Sequence, residues 1–428
     1  MSLINYLLKY LRYISTDRSS LLIKKLINVT LLLLIMPLFS CSTTSTSVSL
    51  ESLVDQFNKN KDIKNIVDSL SNPLIKSNEV TGMVVAIVTP QGEHFFSYGH
   101  ANKSKNTLLN KNSLFQVGSI TKLFTSSTAS MMSKKGLISL DDKISKYFPM
   151  LPTSENESIR NITIDQILTH TSGLDRENES LEMLTSAISF LFTGNNLWES
   201  FNRESMIKYF NHNKVDEDKV GTYNYSNIAY VLLGEVINNI EKNVTYSEQV
   251  EKLLSRKLGL HDTVFSLNKE QETRLATGYV GSIPPFMKKG TPLYPWKIDE
   301  SLWAAGSIYS SAKDLLSFLK INMGINKYEY FDVLKDAQIP RYKTESGYIG
   351  RAWFIEKLPN TKKTFINIRG YLSGYNSFIG FDKKRRVGVV VLQNTLNYKD
   401  KVGIPLLEVM TEILDNSPTS SVLNTFKI

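Results

Sequence analysis

The spacing of apolar residues changes along the chain, and the changes divide it into segments. Residues 50–78 carry apolar side chains at helical spacing, which predicts a helix. Gly82–Val88 is a continuous apolar run typical of a buried strand, and Gln91–Gly92 marks a turn into a returning strand at His94–Tyr98. Ser119–Lys134 then predicts an apolar helix with small residues and methionines facing inward.

Helical patterns dominate the middle of the chain, and β-rich segments return towards its end. The predicted central helices are Thr163–Leu168, Glu182–Phe192, Met206–Phe210 and Ile228–Ile240. The predicted C-terminal strands are Tyr348–Ile355, Phe365–Ile368, Ser377–Phe381 and Val387–Gln393, followed by a helix at Pro405–Leu414. Strands at both ends indicate one αβ unit, from about 50–135 and 300–415, with a mostly helical insertion at 136–299 and a tail at 416–428.

The first 40 residues are typical of an export signal. Lys24 and Lys25 precede an apolar segment at 26–39, which is shorter than the roughly 20 residues that a membrane-spanning helix needs. A start codon placed too early would explain residues 1–23. A membrane anchor is the alternative interpretation of this segment.

Leu38-Phe-Ser-Cys41, at the end of the apolar segment, is similar to the lipobox of bacterial lipoproteins. We therefore predict lipidation of Cys41, with the Ser/Thr-rich residues 41–49 as a flexible tether. The expected location is the bacterial cell envelope, with the domain facing the periplasm or the cell exterior. A plain signal peptide with an incidental cysteine is the alternative.

Charge and composition exclude several classes of function. The net charge is +9, and residues 1–40 contribute +4 of it, which leaves a modest surplus without a basic tract. Nucleic-acid binding is therefore not expected. Cys41 is the only cysteine, so the domain has no internal disulfide. No metal site and no cofactor are expected, because the histidines lack metal-ligand spacing: His94, His100, His170, His212 and His261.

Ser119 and Lys122 form the strongest candidate for chemistry. At i and i+3 on a helix their side chains lie on one face, so a neutral lysine amine can take the proton of the serine hydroxyl. Gly118 suits a tight turn into a helix N-terminus, where backbone N–H groups face a developing oxyanion. Three other Ser-x-x-Lys spacings are predicted to be solvated helix faces: Ser205/Lys208, Ser310/Lys313 and Ser317/Lys320.

Tyr225 and Asn227 lie two residues apart before a second apolar helix. Both side chains can then project the same way, with Tyr225 as a proton relay and Asn227 as a ligand of the substrate or the lysine. The alternative interpretation is a helix cap, with Ser226 or Asn227 capping and Tyr225 packing at the rim.

Together the segments resemble the serine β-lactamase and D-alanyl-D-alanine peptidase superfamily, in the branch of class C β-lactamases, peptidases and related esterases. The resemblance implies an antiparallel sheet flanked by helices, with an inserted mostly helical domain. It rests on Gly118-Ser119-Ile-Thr-Lys122, Ile164–Leu174 with His170-Thr-Ser-Gly173, Tyr225-Ser226-Asn227, Leu258–Thr263, Ala304–Leu315 and Gly374–Phe381 before Val387–Leu392.

The resemblance implies a role for each matching residue. Ser119 would be the acylated nucleophile, Lys122 its base, Tyr225 the group that protonates the leaving group, and Asn227 a substrate ligand. The oxyanion hole would combine the backbone N–H of Ser119 with that of Tyr371 on a facing strand edge.

The third motif departs from the family pattern, since Ile368-Arg369-Gly370 stands where the family usually has a cationic residue, then any residue, then glycine. Ile368 cannot bind a substrate carboxylate or lower the pKa of Lys122 by like-charge repulsion. Gly370 and Arg369 are candidate substrate contacts, but Arg369 reaches the site only if the strand bulges or the register shifts by one.

The sequence therefore predicts a serine hydrolase that forms an acyl-enzyme from an ester or amide, with cell-wall-derived D-amino-acid peptides as one candidate substrate. A penicillin-binding D,D-carboxypeptidase or class C-like β-lactamase is one alternative, and a non-catalytic envelope module that binds wall peptide is another. A Ser-His-Asp triad of His170 with Asp165 or Asp175 is not expected, because no nucleophile elbow surrounds Ser119. We expect His170 to be structural, bonded to a loop carbonyl.

Overall fold

The computed structural model describes residues 48–148, 157–177 and 180–416, and its β-strands form one large and two small sheets. The predicted signal segment, Cys41 and the tail from 417 lie outside these residues. The strands are β1 (Gly82–Thr89), β2 (Gly92–Asn102), β3 (Thr107–Leu108), β4 (Leu114–Gln116), β5 (Gly278–Val280), β6 (Pro292–Leu293), β7 (Tyr309–Ser311), β8 (Tyr342–Lys343), β9 (Gly347–Ile349), β10 (Phe354–Lys357), β11 (Thr364–Leu372), β12 (Tyr375–Asp382), β13 (Val387–Gln393) and β14 (Thr395–Leu396).

Helices cover both faces of the large sheet. They are α1 (Leu50–Asn60), α2 (Ile63–Lys76), α3 (Thr121–Lys134), α4 (Glu157–Arg160), α5 (Ile164–Leu168), α6 (Leu181–Thr193), α7 (Arg203–His212), α8 (Asn227–Asn238), α9 (Tyr246–Val250), α10 (Lys269–Arg274), α11 (Trp303–Gly306), α12 (Ala312–Asn322), α13 (Phe331–Asp336) and α14 (Gly403–Asn416). Single turns of 3₁₀-helix occur at Gly118–Ile120, Ile144–Lys146, Glu217–Lys219 and Glu300–Leu302, and a π-helical turn at Glu251–Ser255. Within the described part of the chain, no helix has both the length and the apolar content needed to cross a bilayer.

The large sheet has nine strands in the order β3-β2-β1-β13-β12-β11-β10-β9-β8, and all its pairings are antiparallel. The expected α+β fold with an antiparallel sheet and flanking helices is confirmed. β1 from the start of the chain pairs with β13 from its end, so both ends contribute to the centre of the sheet.

Alternate residues of β1 enter different cores, because successive strand side chains point to opposite faces. One face of β1, with Met83, Val85 and Ile87, packs against α1, α2 and α14. The other face, with Val84, Ala86 and Val88, belongs to the larger core, which includes residues of α3, α8 and α12. A strand covered on both faces explains why its sequence is continuously apolar.

Some predicted boundaries are wrong. The helix predicted over 50–78 is two helices, because Lys61 takes a left-handed conformation (φ 52°) and the Asp62 side chain caps the second one. The predicted strand Tyr348–Ile355 is likewise two strands, since Ala352 (φ 65°) lies in the turn between them. β11 runs four residues beyond the predicted end at Ile368, to Leu372.

β11 touches the 3₁₀ turn Gly118–Ile120 because Gly370 has no side chain. A Cβ at Gly370 would lie 2.0 Å from the carbonyl oxygen of Val117 and 2.5 Å from Ser377 Oγ. The Ser377 hydroxyl completes this contact by donating to the same Val117 carbonyl at 2.8 Å. This close approach sets the distance between the sheet and the turn that carries Ser119.

We expect Gly370→Ala to lower the free energy of unfolding by roughly 1–3 kcal/mol, the usual cost of overpacking, because the contact with Val117 is with backbone that cannot rotate away. Chemical denaturation measures the effect. Gly306→Ala is the control, since its Cβ would meet only ordinary contacts beginning at 3.8 Å. Equal stability of the Gly370→Ala variant and the wild type would contradict the close approach.

Candidate active site

Ser119 lies in the turn that joins β4 to α3. Gly118 before it has a left-handed backbone (φ 53°), and a Cβ there would lie 2.7 Å from the backbone nitrogen of Tyr371. Both facts require glycine. Ser119 is half-buried, and the helix α3 that begins two residues later directs its first N–H groups towards this turn.

Lys122 is fully buried on the first turn of α3, and its amine reaches three oxygens. Nζ lies 3.3 Å from Ser119 Oγ, 2.7 Å from Asn227 Oδ1 and 2.5 Å from the carbonyl oxygen of Ala305. Burial lowers the pKa of Lys122, because an ammonium loses hydration there, and the positive charge of Arg176 lowers it further. Tyr225 and Glu177 act in the opposite direction.

Tyr225 approaches the same serine oxygen from the loop before α8. Its hydroxyl donates to Ser119 Oγ at 2.8 Å, and Lys122 Nζ lies 5.1 Å from the centre of its ring. The imidazole of His170 stacks on the ring at 4.2 Å, and the guanidinium carbon of Arg176 lies 4.7 Å from its centre. The phenol is therefore held by aromatic and cation–π contacts.

The loop of Tyr225 and Asn227 is both a helix cap and a source of site side chains, the two interpretations that the sequence allowed. Ser226 is the N-cap of α8, since its Oγ accepts the N–H of Ala229 at 2.9 Å. At the same time Tyr225 points to Ser119 and Asn227 points to Lys122. The cap therefore fixes the backbone from which the two flanking side chains reach the site.

His170 is buried beneath Tyr225, and its partner differs from the expected carbonyl. Its Nδ1 accepts the backbone N–H of Ser226 at 3.1 Å, so this nitrogen carries no proton. Burial lowers the pKa of His170 well below its usual range, which keeps the ring neutral. Asp165 instead pairs with Arg351, and Asp175 accepts the hydroxyl of Tyr209. No Ser-His-Asp triad therefore forms at Ser119.

The edge of β11 carries the backbone N–H of Tyr371, which is the second donor of the predicted oxyanion hole beside that of Ser119. Leu372 and Tyr375 flank a two-residue turn and form a hydrogen-bonded pair, so Tyr371 directs its N–H and C=O away from β12. The Gly118–Ser119 turn lies on that side. The Tyr371 side chain extends along the cavity wall, where its hydroxyl donates to the carbonyl of Tyr398 at 3.1 Å.

The remaining residues of the third motif point elsewhere. Ile368 is buried in the larger core, and β11 keeps a regular register with β12 through Arg369 and Gly370. The Arg369 guanidinium pairs with Glu356 at 3.0 Å. Among the described residues, neither Arg369 nor Gly370 lines the cavity at Ser119, and Gly370 instead packs on Val117.

A cavity of about 160 Å³ opens beside Ser119, Asn227 and Tyr371. Its wall is largely apolar and aromatic, with Met183, Phe190, Leu197, Trp198, Trp296, Leu372, Leu396 and Tyr398. This wall suits an apolar substituent next to the reacting carbonyl.

Two charged residues of the cavity, Arg176 and Glu177, were not predicted from the sequence. Glu177 Oε1 accepts Asn227 Nδ2 at 2.5 Å, so a chain of contacts runs from Glu177 through Asn227 to Lys122. Burial raises the pKa of Glu177. The only available signal was their position directly after the motif that ends at Gly173-Leu174.

Fold and site together define a serine hydrolase of the β-lactamase and transpeptidase type. The β-lactamase family model matches residues 50–407, so the chain belongs to the β-lactamase family. The family resemblance seen in the sequence is thereby confirmed.

Known relatives agree with this assignment. A β-lactamase of Providencia stuartii is 28% identical over 258 residues, covering 60% of this chain and 59% of its own length. A β-lactamase of Pseudomonas fluorescens is 24% identical over 392 residues, covering 83% of this chain and 99% of its own. A class C β-lactamase structure from Rhodobacter sphaeroides superposes with a TM-score of 0.67 at 20% identity, covering 81% of this chain and 99% of its own, which shows the shared fold.

The buried amine predicts the pH dependence of the site. We expect kcat/KM for a neutral ester to rise with pH as Lys122 loses its proton, with a midpoint below the ordinary lysine value of about 10.4. The sign follows from burial, which disfavours the ammonium and makes the neutral base available at lower pH. Rate measurements across the alkaline range, corrected for spontaneous hydrolysis, check this.

Two variants shift that midpoint in opposite directions. Arg176→Gln removes a positive charge and moves it to higher pH, whereas Glu177→Gln removes a negative charge and moves it to lower pH. A midpoint that neither variant moves would contradict Lys122 as the titrating group.

Proposed function

We propose that the protein is a serine hydrolase that forms an acyl-enzyme on Ser119 from esters or amides, with cell-wall-derived D-amino-acid peptides as one candidate substrate. The observation that supports this is the approach of two proton-transfer groups to one oxygen. Tyr225 Oη lies 2.8 Å and Lys122 Nζ 3.3 Å from Ser119 Oγ. Lys122 is thus close enough to take the proton of Ser119, and Tyr225 is close enough to deliver a proton beside the same oxygen.

In the proposed reaction, Ser119 Oγ attacks the substrate carbonyl while its proton passes to the neutral amine of Lys122. The oxyanion of the tetrahedral intermediate is stabilised by the backbone N–H groups of Ser119 and Tyr371. Tyr225 gives a proton to the departing alcohol or amine as the carbonyl–leaving-group bond breaks, and regains one from Lys122. Water then attacks the ester of Ser119 while Lys122 takes one of its protons, and that proton returns to Ser119 Oγ as the bond from this oxygen to the acyl carbon breaks and the acid leaves.

In this scheme Asn227 orients Lys122 and also contacts the substrate. Its Oδ1 holds the amine of Lys122, and its Nδ2 is bonded to Glu177, so the amide is fixed from both ends. A substrate that enters the cavity meets this ordered amide beside Ser119. No cofactor takes part in the proposed steps.

We expect Ser119→Ala to reduce turnover of a chromogenic short-chain ester to background, because no other hydroxyl occupies the position of the nucleophile. Intact-mass spectrometry should detect an acyl adduct on the wild type and none on the variant. Ser317→Ala is the matched control, since it removes a serine with the same Ser-x-x-Lys spacing whose hydroxyl only donates to the carbonyl of Lys313. Unchanged turnover in Ser119→Ala would exclude the assignment.

A D,D-carboxypeptidase or class C-like β-lactamase is the second candidate, favoured by the relatives named β-lactamase. The same mass measurement with a panel of β-lactams separates the two. A lasting β-lactam adduct supports a penicillin-binding peptidase, β-lactam turnover supports a lactamase, and ester turnover without either supports the esterase. Absence of all adducts and turnover would favour a non-catalytic binding module.

We also propose that the protein is exported and attached to the bacterial envelope through a lipid on Cys41. The lipobox-like segment and the Ser/Thr-rich residues behind it support this. In the full chain, Cys41→Ser should move the protein from the membrane fraction to the soluble fraction, whereas Ser45→Ala should leave it on membranes. Membrane association that persists in Cys41→Ser would contradict lipidation.

A further inference from the structure

The positive charge that the third motif lacks is supplied to the cavity by a different segment of the chain. Ile368 is apolar and buried, and Arg369 forms an ion pair with Glu356. Arg176, which comes from the loop after Gly173-Leu174, lines the cavity together with Ser119.

The backbone of Arg176 is held by a hydrogen bond, whereas its side chain is exposed. Its carbonyl oxygen accepts the N–H of Asn227 at 2.9 Å, which ties the loop to the start of α8. Its side chain is exposed, with the guanidinium carbon 4.7 Å from the centre of the Tyr225 ring. An exposed guanidinium presents its N–H donors in a planar fork that matches the two oxygens of a carboxylate.

Neighbouring carboxylates do not occupy this guanidinium. In the ranges that the structure describes, no ion pair joins Arg176 to an acidic residue. Glu177, the acidic group beside it in the cavity, is bonded to Asn227 at 2.5 Å. The Glu177 carboxylate is therefore bonded to an amide and not to the guanidinium, although the charge of Arg176 acts on it through space and favours its ionised form.

We propose that Arg176 is a specificity-determining residue that binds a carboxylate of the substrate in the cavity beside Ser119. The inference rests on the proposed acyl transfer at Ser119 and defines its substrate class further, as an ester or amide that carries a carboxylate close to the reacting carbonyl. Arg176 takes no part in bond making or breaking. It positions the substrate through a charge-assisted pair of hydrogen bonds.

The test compares matched esters with and without a carboxylate. On the acyl side the pair is 4-nitrophenyl butyrate and mono-4-nitrophenyl succinate, and on the leaving-group side it is phenyl acetate and 3-carboxyphenyl acetate. The readout is the ratio of kcat/KM for the anionic ester to that for its neutral partner. Any effect of Arg176 on the pKa of Lys122 acts on both members of a pair and cancels in this ratio.

We expect Arg176→Gln to lower the ratio roughly 10–100-fold in one pair, as for loss of a hydrogen bond to a charged group, and the responding pair identifies the side on which the carboxylate binds. Arg176→Lys should lower it less, since the charge stays and the paired geometry is lost. Arg256→Gln is the control, because it removes an equal charge from an exposed arginine that pairs with Glu251 and does not line the cavity.

Unchanged ratios in both pairs for Arg176→Gln would overturn the inference, and so would a fall in the ratio caused by Arg369→Gln instead. In either case hydrolysis of the neutral esters that depends on Ser119 would leave the proposed function standing. Full activity in Ser119→Ala would remove the proposed function itself, and this inference with it.

Discussion

The burial of one amine organises the centre of this molecule. Lys122 lies on α3, Asn227 begins α8, and the Ala305 carbonyl belongs to α11, so two of its hydrogen bonds join helices from separate parts of the chain. The third reaches Ser119, three residues before it. An amine removed from water is tolerated only where such partners replace its hydration. The same burial disfavours the ammonium and so favours a neutral amine close to Ser119, which is the form that the proposed base requires.

Close backbone approach is the second constraint on the site. Gly118 and Gly370 allow the nucleophile turn and the β11 edge to touch, and a side chain at either position would meet backbone atoms at less than 3 Å. The backbone of Val117 and Gly118 then lies directly against the β11 edge, with the small Ser377 hydroxyl bonded to the Val117 carbonyl. Two glycines distant in sequence therefore set the width of the proposed oxyanion site.

Local patterns accounted for the parts of the fold and site that local chemistry determines. The spacing of Ser119 and Lys122 places both on one helical turn in any structure that contains the helix, and the apolar run of β1 identifies a doubly covered strand. The break at Lys61 was missed because apolar residues continue on both sides of it, and only the cap at Asp62 signals a new start.

Arg176 and Glu177 could not be placed from the sequence, because they lie on a loop whose course depends on bonds to the distant residues Ser226 and Asn227. No periodicity describes such a loop. The prediction of a carbonyl partner for His170 was wrong for a similar reason, since its Nδ1 accepts the N–H of Ser226, which is distant in sequence.

The pairing of β1 with β13 has a consequence for the order in which the protein becomes active. Ser119 follows β1 closely in the chain, but β11, whose edge faces it, belongs to the last strands to be synthesised. Contacts between such distant segments form late in folding, because a long loop must close first. A partly synthesised chain therefore carries the proposed nucleophile without the strand of the proposed oxyanion donor Tyr371, and we expect reactivity at Ser119 only once the C-terminal strands complete the sheet.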